Sequence, residues 1–194
     1  LASLMVYNER ASVRTLLAAL KSATHLTHAR DPETGNHLER MSRYSRLIAQ
    51  AMAAQKGLDD NFVEHVYLFA PLHDLGKITI PDTILNKPGQ LTPEEWEAMK
   101  QHPGAGARIL RDISHLQAAI PYVLYHHERW DGTGYPQGRK GKDIPIEGRL
   151  MAIADVYDAL TTVRPYHPPR SNYDVLQYLS VNAGRLFDPR LVDV

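Results

Sequence analysis

Five of the ten histidines stand where metal or proton chemistry can use them: His37, His73, His102, His126 and His127. His73 is followed by Asp74 inside the apolar stretch Phe69-Ala70-Pro71-Leu72-His73-Asp74-Leu75. A neutral imidazole binds one cation, whereas a carboxylate has two oxygens and can bridge two. Adjacent residues of a helix diverge by about 100°, so this pair can reach two sides of one site. Burying it in apolar chain is costly without a partner cation. His126-His127 precede Glu128, and His102 precedes Pro103. Glu33 and His37 are four apart and share a face if that turn is helical. Asp155 and Asp158 lie three apart in an otherwise apolar run, Ala152 to Asp158.

Taken singly, each of these has an ordinary explanation. His73-Asp74 can be a hydrogen-bonded pair near a helix end, and adjacent histidines are commonly surface residues. Glu33 and His37 can be an i,i+4 surface pair. His102 can be a turn residue before proline, and the two aspartates can form a polar stripe on one helix. Together they weigh differently, because each falls on a separate expected helix beside apolar positions. The interior of a bundle is where side chains from several helices converge on metals. The set offers nitrogen and oxygen but no sulfur, since the chain has no cysteine. That suits two or three octahedral ions such as iron or manganese better than one tetrahedral zinc.

The elements that must position these residues read as helices throughout. Leu16, Leu17, Leu20 and Leu26 recur at helical spacing through residues 11–29. Asp31-Pro32 reads as an N-cap with proline at the first helical position, weakened by Gly35. Residues 36–55 form a helix with Leu38, Met41, Leu47, Ile48 and Met52 on one face. A second runs from Asn61 to Leu75 and stops at Gly76. Thr92-Pro93-Glu94-Glu95 opens another. Residues 104–112, 114–127, 149–163 and 172–182 follow, and Phe187-Asp188-Pro189 is a further start signal. Residues 129–148 hold five glycines and two prolines and read as a structured loop. The expectation is an all-α bundle of about seven helices. Residues 1–29 are expected to form an N-terminal helix and residues 30–194 the one domain that carries these groups, since no composition break divides the chain further.

Charge and composition exclude several classes. Lys+Arg and Asp+Glu both number 22, so no global field favours duplex nucleic acid or an anionic membrane. No apolar run approaches the ~18 residues of a membrane span, and no signal peptide opens the chain. The lack of cysteine fits a reducing cytoplasm. The chain opens on Leu1 and ends soon after a helix-start signal, so it reads as a piece of a longer protein.

The ordered motifs resemble the HD-GYP subgroup of the HD-domain phosphohydrolases. They are Arg30-Asp31-Pro32-Glu33-Thr34-Gly35-Asn36-His37, His73-Asp74-Leu75-Gly76-Lys77, His102-Pro103, His126-His127-Glu128 and Asp131-Gly132-Thr133-Gly134-Tyr135-Pro136. Ala154-Asp155-Val156-Tyr157-Asp158, Arg164-Pro165-Tyr166 and Phe187-Asp188-Pro189 complete the series. The resemblance implies an HD-type helical bundle around a metal site. It places His37, His73, Asp74, His102, His126, His127 and Asp155 at ligand positions, and Glu33 at the acidic position that helps hold a third metal in some members. It implies two or three divalent ions, iron or manganese. It matches Lys77 and Arg164 to contacts with substrate phosphate, and Gly134-Tyr135-Pro136 to the loop beside the site.

The substrate so implied is cyclic di-GMP, opened to pGpG and, if the site holds a linear ligand well, cleaved on to GMP. His73 and Asp74 would then lie at the catalytic centre. Asp158 or Lys77 is the candidate proton donor to the leaving 3′-oxygen. Tyr135 shapes the rim or packs on a guanine, or is only a turn aromatic. Arg139, Lys140, Lys142 and Arg149 either steer an anionic dinucleotide or form a solvated loop. His167 stands where relatives usually carry Lys or Arg, and Leu186 where a histidine often stands. The first alternative is a non-catalytic module docking a GGDEF-type domain through residues 131–149. Others are an HD hydrolase of another phosphate or cyclic dinucleotide, such as cyclic GMP-AMP, and a purely structural bundle. A receiver or sensory domain upstream, as in two-component response regulators, and a homodimer are further expectations.

Overall fold

The computed structural model describes residues 15–22, 24, 36–56, 59–163 and 168–194. The architecture is all-α. Among the described residues the only β feature is an isolated bridge between Ala183 and Phe187. Residues 15–22 are helical. They are followed by α1 (His37–Lys56), α2 (Asp60–Phe69), α3 (Asp82–Leu85), α4 (Pro93–Met99) and α5 (His102–Arg111). Then come α6 (Ile120–Leu124), α7 (Ile146–Thr161), α8 (Asn172–Val181) and α9 (Pro189–Val192). The expected Asp31 N-cap and Glu33 lie outside the described residues, as do Arg164 and His167.

The helix starts follow local chemistry. Asp59 caps α2 by accepting from Phe62 N, and Ser171 caps α8 through Asp174 N. Thr92 and Glu95 form a full capping box at α4. Asp188 caps α9 with Pro189 in its first turn. Against about seven expected helices, the described residues form more and shorter ones. The expected helix from Asn61 to Leu75 stops at Phe69. Pro71 cannot donate to an α-helical ladder, and the chain tightens into a 3₁₀ turn, Ala70–Leu72. His73 and Asp74 therefore sit in a turn between two 3₁₀ segments, the second being Leu75–Thr79, not on one α-helix. The expected helix at 114–127 likewise divides into a 3₁₀ segment, Ser114–Ala119, and α6.

α1 packs on α2 and α7, and α5 packs on Leu75–Thr79 and α6. Leu38, Met41, Ser45, Ala49 and Met52 form the buried stripe of α1. Leu47, expected on that face, is 63% exposed, because its position falls off a stripe stepping by three and four residues. α7 is the central element. Gly148, Leu150, Met151, Ala152, Ile153 and Ala154 are all buried, so it is enclosed nearly all round. No helix among the described residues is long and apolar enough to cross a membrane.

The approach of α5 to the turn after Asp74 is unusually close. A Cβ on Gly76 would stand 1.9 Å from the His102 carbonyl oxygen and 2.5 Å from Gly106 N. Both are backbone atoms, so the clash is not relieved by a rotamer change. Gly76→Ala is expected to cost about 3 kcal/mol of stability through overpacking, measured by urea unfolding. Gly104→Ala, whose Cβ would meet only Arg108 Nη1 at 3.7 Å, is expected to gain about 0.5–1 kcal/mol from helix propensity.

Candidate metal centre

Three histidines reach the interior by one local device. Each follows a short helical turn or opens one, and each places Nδ1 against the carbonyl three residues earlier. His73 Nδ1 lies 2.9 Å from Ala70 O, His102 Nδ1 2.8 Å from Met99 O, and His126 Nδ1 2.8 Å from Val123 O. A carbonyl only accepts, so Nδ1–H is the donor in all three. The tautomer is thereby set, and Nε2 is the nitrogen turned to the interior. His37, on α1, is oriented differently: its Nδ1 lies 2.7 Å from Asp158 Oδ2. Arg40 holds the same carboxylate through Nε at 2.5 Å and Nη2 at 3.0 Å.

The Nε2 atoms converge. His37 and His73 bring theirs to 3.4 Å, and His102 and His126 to 3.3 Å. Asp74 stands between the two pairs. Its Oδ1 lies 3.2 Å from His102 Nε2 and 3.6 Å from His126 Nε2. Its Oδ2 lies 3.3 Å from His73 Nε2 and 2.8 Å from Lys77 Nζ. Ligand atoms of Asp74, His102, His126 and His127 all fall within 4.8 Å of one another, and those of His37, His73 and Asp74 do the same. The two groups share Asp74, whose oxygens face opposite ways.

Asp74 Oδ1 is buried without a hydrogen-bond partner. A neutral imidazole with its proton on Nδ1 offers that oxygen only a lone pair. Lone pairs and a carboxylate gathered in a dry interior repel unless a cation joins them. The donor set fits a divalent ion: imidazole nitrogen and carboxylate oxygen, without thiolate. Electrostatics agree in most positions. Burial, followed by its histidine neighbours, pushes His127 well below the usual imidazole range, and burial also lowers His126. Burial would raise Asp74, but Lys77 and His73 outweigh it and keep the carboxyl well below the usual range. His73 is the exception. Burial lowers it, yet the adjacent Asp74 carboxylate prevails and brings it to about 9.

The other expected site residues take distinct places. Asp155 lines a small cleft with His126, His127 and Leu186. It acts electrostatically on His73 but contributes to neither ligand group. Asp158 lies behind His37, where hydrogen bonds from His37 and Arg40 overcome burial and lower its pKa. Gly134 admits no side chain, because a Cβ would stand 2.3 Å from Arg129 N. That close approach seats Tyr135 on the centre: its ring centroid is 4.7 Å from that of His127 and 6.5 Å from that of His102. Pro136 follows through a cis peptide bond. The basic patch splits. Arg149 pairs with buried Asp188 at 2.6 Å and Arg139 lies over Tyr125, whereas Lys140 and Lys142 are exposed. Leu186, where relatives often carry a histidine, packs against the core.

Some contributors were not singled out in the sequence. Glu128 is buried, and its two oxygens accept from Gln137 N at 2.8 Å and Arg139 N at 3.0 Å. It is the anchor of the Gly134–Pro136 loop. Arg40 is three residues after His37, a spacing that puts both on one helix face. Trp96 meets Tyr135 edge to face at 6.2 Å; nothing in its local sequence announces that contact.

Comparison with known proteins shows the family and the fold. An HD domain family model matches residues 30–191. The chain is 44% identical over 180 residues to a cyclic di-GMP phosphodiesterase of Thermotoga maritima, covering 92% of this chain and 48% of that protein. It is 46% identical over 166 residues to the cyclic di-GMP phosphodiesterase response regulator RpfG of Xanthomonas campestris, covering 84% and 43%. The chain thus spans about half the length of the curated relatives it matches. The fold matches a solved cyclic GMP-AMP-specific phosphodiesterase of Vibrio cholerae with TM-score 0.65, at 22% identity, over 92% of this chain and 46% of that one.

The His73 value carries a test. Below about pH 9 the metal-free imidazole holds a second proton, on Nε2 toward Asp74 Oδ2. An entering cation must displace it. Metal uptake at pH 7 is expected to release about one proton from His73, with affinity rising as pH rises to about 9 and levelling above it. Isothermal titration in buffers of different ionisation enthalpy measures this, and affinity that is flat from pH 6 to 8 contradicts it.

Proposed function

The chain belongs to the HD domain family, and on that premise we propose that it is a metal-dependent phosphodiesterase that hydrolyses cyclic di-GMP. The observation that carries the proposal is Asp74, a buried carboxylate with one oxygen toward each of two imidazole groups. The names of the relatives supply the substrate. We assign His37, His73, Asp74, His102, His126 and His127 as ligands of two ions, with Asp155 at the edge of the site and Glu33 as a candidate for a third. The nitrogen and oxygen donors favour iron or manganese.

When bound by these residues, divalent ions would supply Lewis-acid polarisation of a phosphate and acidification of a water. The remaining work belongs to the chain's own groups. Asp74 and the carbonyl-bonded imidazoles hold fixed directions at little reorganisation cost. Lys77, 2.8 Å from Asp74 and mostly buried, places a positive charge where phosphate oxygens would gather, and Arg164 would add a bidentate donor. Lys77 is the better candidate for delivering a proton to the leaving 3′-oxygen. Asp158 is ionised and engaged by His37 and Arg40, which supports a positioning role for it. Gly134, Tyr135 and Pro136 form the rim. The first product is pGpG, and a site that holds the linear ligand well would cleave it on to GMP. The enzyme would act in the cytoplasm, alone or as a homodimer. A docking module for a GGDEF domain has no use for a buried carboxylate among five imidazoles, so that role is secondary.

The decisive experiment is anaerobic purification with metal analysis, then chromatography of cyclic di-GMP and 3′3′-cyclic GMP-AMP incubated with iron- or manganese-loaded protein. About two ions per chain are expected, with formation of pGpG or GMP that His73→Ala/Asp74→Ala abolishes. Folded protein with neither metal nor turnover overturns the proposal, and turnover of cyclic GMP-AMP alone reassigns the substrate. Asp158→Asn is expected to lower metal affinity or activity about 10–100-fold, while Asp158 as the proton donor would instead remove the alkaline limb of the kcat profile and leave metal affinity unchanged.

A further inference from the structure

Trp96 is a large apolar side chain that the packing leaves 47% exposed. It stands on α4, a helix held at its start by the Thr92–Glu95 capping box and by Lys87, whose Nζ lies 2.6 Å from Glu95 Oε2. One turn later Met99 offers the carbonyl that orients His102. The same short helix therefore carries an exposed indole and fixes a metal-facing imidazole. Toward the interior the rings continue in series. Trp96 meets Tyr135 at 6.2 Å and 79°, and Tyr135 lies on His127 at 4.7 Å and 30°. His127 belongs to the Asp74 group.

From this arrangement we propose that Trp96 is a base-stacking platform, which binds a purine of the substrate while its phosphodiester lies at the Asp74 centre. The inference rests on the phosphodiesterase reading and adds the residue that recognises the base. The physical grounds are general. An exposed indole offers an apolar π-face that purines stack on regardless of sequence. An aromatic ring also loses little side-chain freedom on binding. Tyr135 crosses the indole nearly at right angles, so the two rings form a corner. A base stacked on one face meets the edge of the other, a favoured aromatic geometry. The indole lies one ring beyond a metal-facing imidazole, as a base lies one ribose beyond the phosphate being cut.

The chain contains two tryptophans, which makes the test direct. Trp130 lies elsewhere, near Arg149 and Arg190. In metal-loaded Trp130→Phe protein the fluorescence reports Trp96 alone. Cyclic di-GMP and GMP are expected to quench it, and ribose 5-phosphate, which has the phosphate without the base, is not. Trp96→Leu is expected to raise KM for cyclic di-GMP about 10-fold or more, with kcat and metal content nearly unchanged, and Trp96→Phe to restore most of the loss. Turnover with no quenching and an unchanged KM in Trp96→Leu overturns the platform and leaves the phosphodiesterase reading standing. Quenching by guanine nucleotides without turnover supports the platform and overturns that reading. A rise in KM matched by loss of metal from Trp96→Leu assigns Trp96 to packing under His102 and overturns the proposal.

Discussion

A carboxylate taken out of water among imidazole lone pairs is among the more costly arrangements a protein interior can hold. In this chain it is Asp74, buried and with Oδ1 unpartnered. Lys77 offsets part of the charge on one side only. The rest of the architecture can be understood as what is needed to keep this carboxylate and its imidazoles in place. α1, α5 and α6 pack around the turn that bears it. The imidazoles reach it from α1, from the start of α5 and from the turn after α6.

Local hydrogen bonds do the aiming. An imidazole bonded at Nδ1 to the carbonyl three residues back has little rotational freedom, and its other nitrogen has one direction. Using the same device three times gives three such directions without recruiting further side chains. His37 is aimed by another means: the buried Asp158 carboxylate, itself held by Arg40, accepts from its Nδ1 in place of a carbonyl. The tight turns follow from this need. An uninterrupted α-helix through Asp74 would send His73 and Asp74 along one cylinder. The break at Pro71 lets the chain turn while both remain enclosed.

The loop after Glu128 obeys a second constraint, the close approach of backbone to backbone. Gly134 lies against Arg129 and Glu128 at distances no Cβ allows, and the Glu128 carboxylate accepts the two amides that close the loop. Its rigidity comes from these contacts, since it contains almost no regular structure. A rim built this way can hold aromatic rings beside the buried histidines at little entropic cost on binding. Arg149, Asp188 and Trp130 tie the far side of the same loop to α9, so charges that look like an anion-binding patch in sequence are partly committed to structure.

The all-α class, the long periodic helices at α1, α5, α7 and α8, and the caps at Thr92 and Asp188 were all legible in the sequence. They depend on periodicity and on bonds that span three or four residues. The metal-type residues were legible as types in a characteristic order, His37, His73-Asp74, His102 and His126-His127. What tertiary structure alone decided was direction and partnership. That Asp74 turns one oxygen to each group, that Asp158 backs His37, that Glu128 pins a loop nine and eleven residues on, and that Trp96 reaches Tyr135 are contacts between distant segments. Leu47 and Arg149 were misplaced for a similar reason. A pattern records which residues are apolar or charged, but exposure and pairing are set by the neighbour that packing brings alongside.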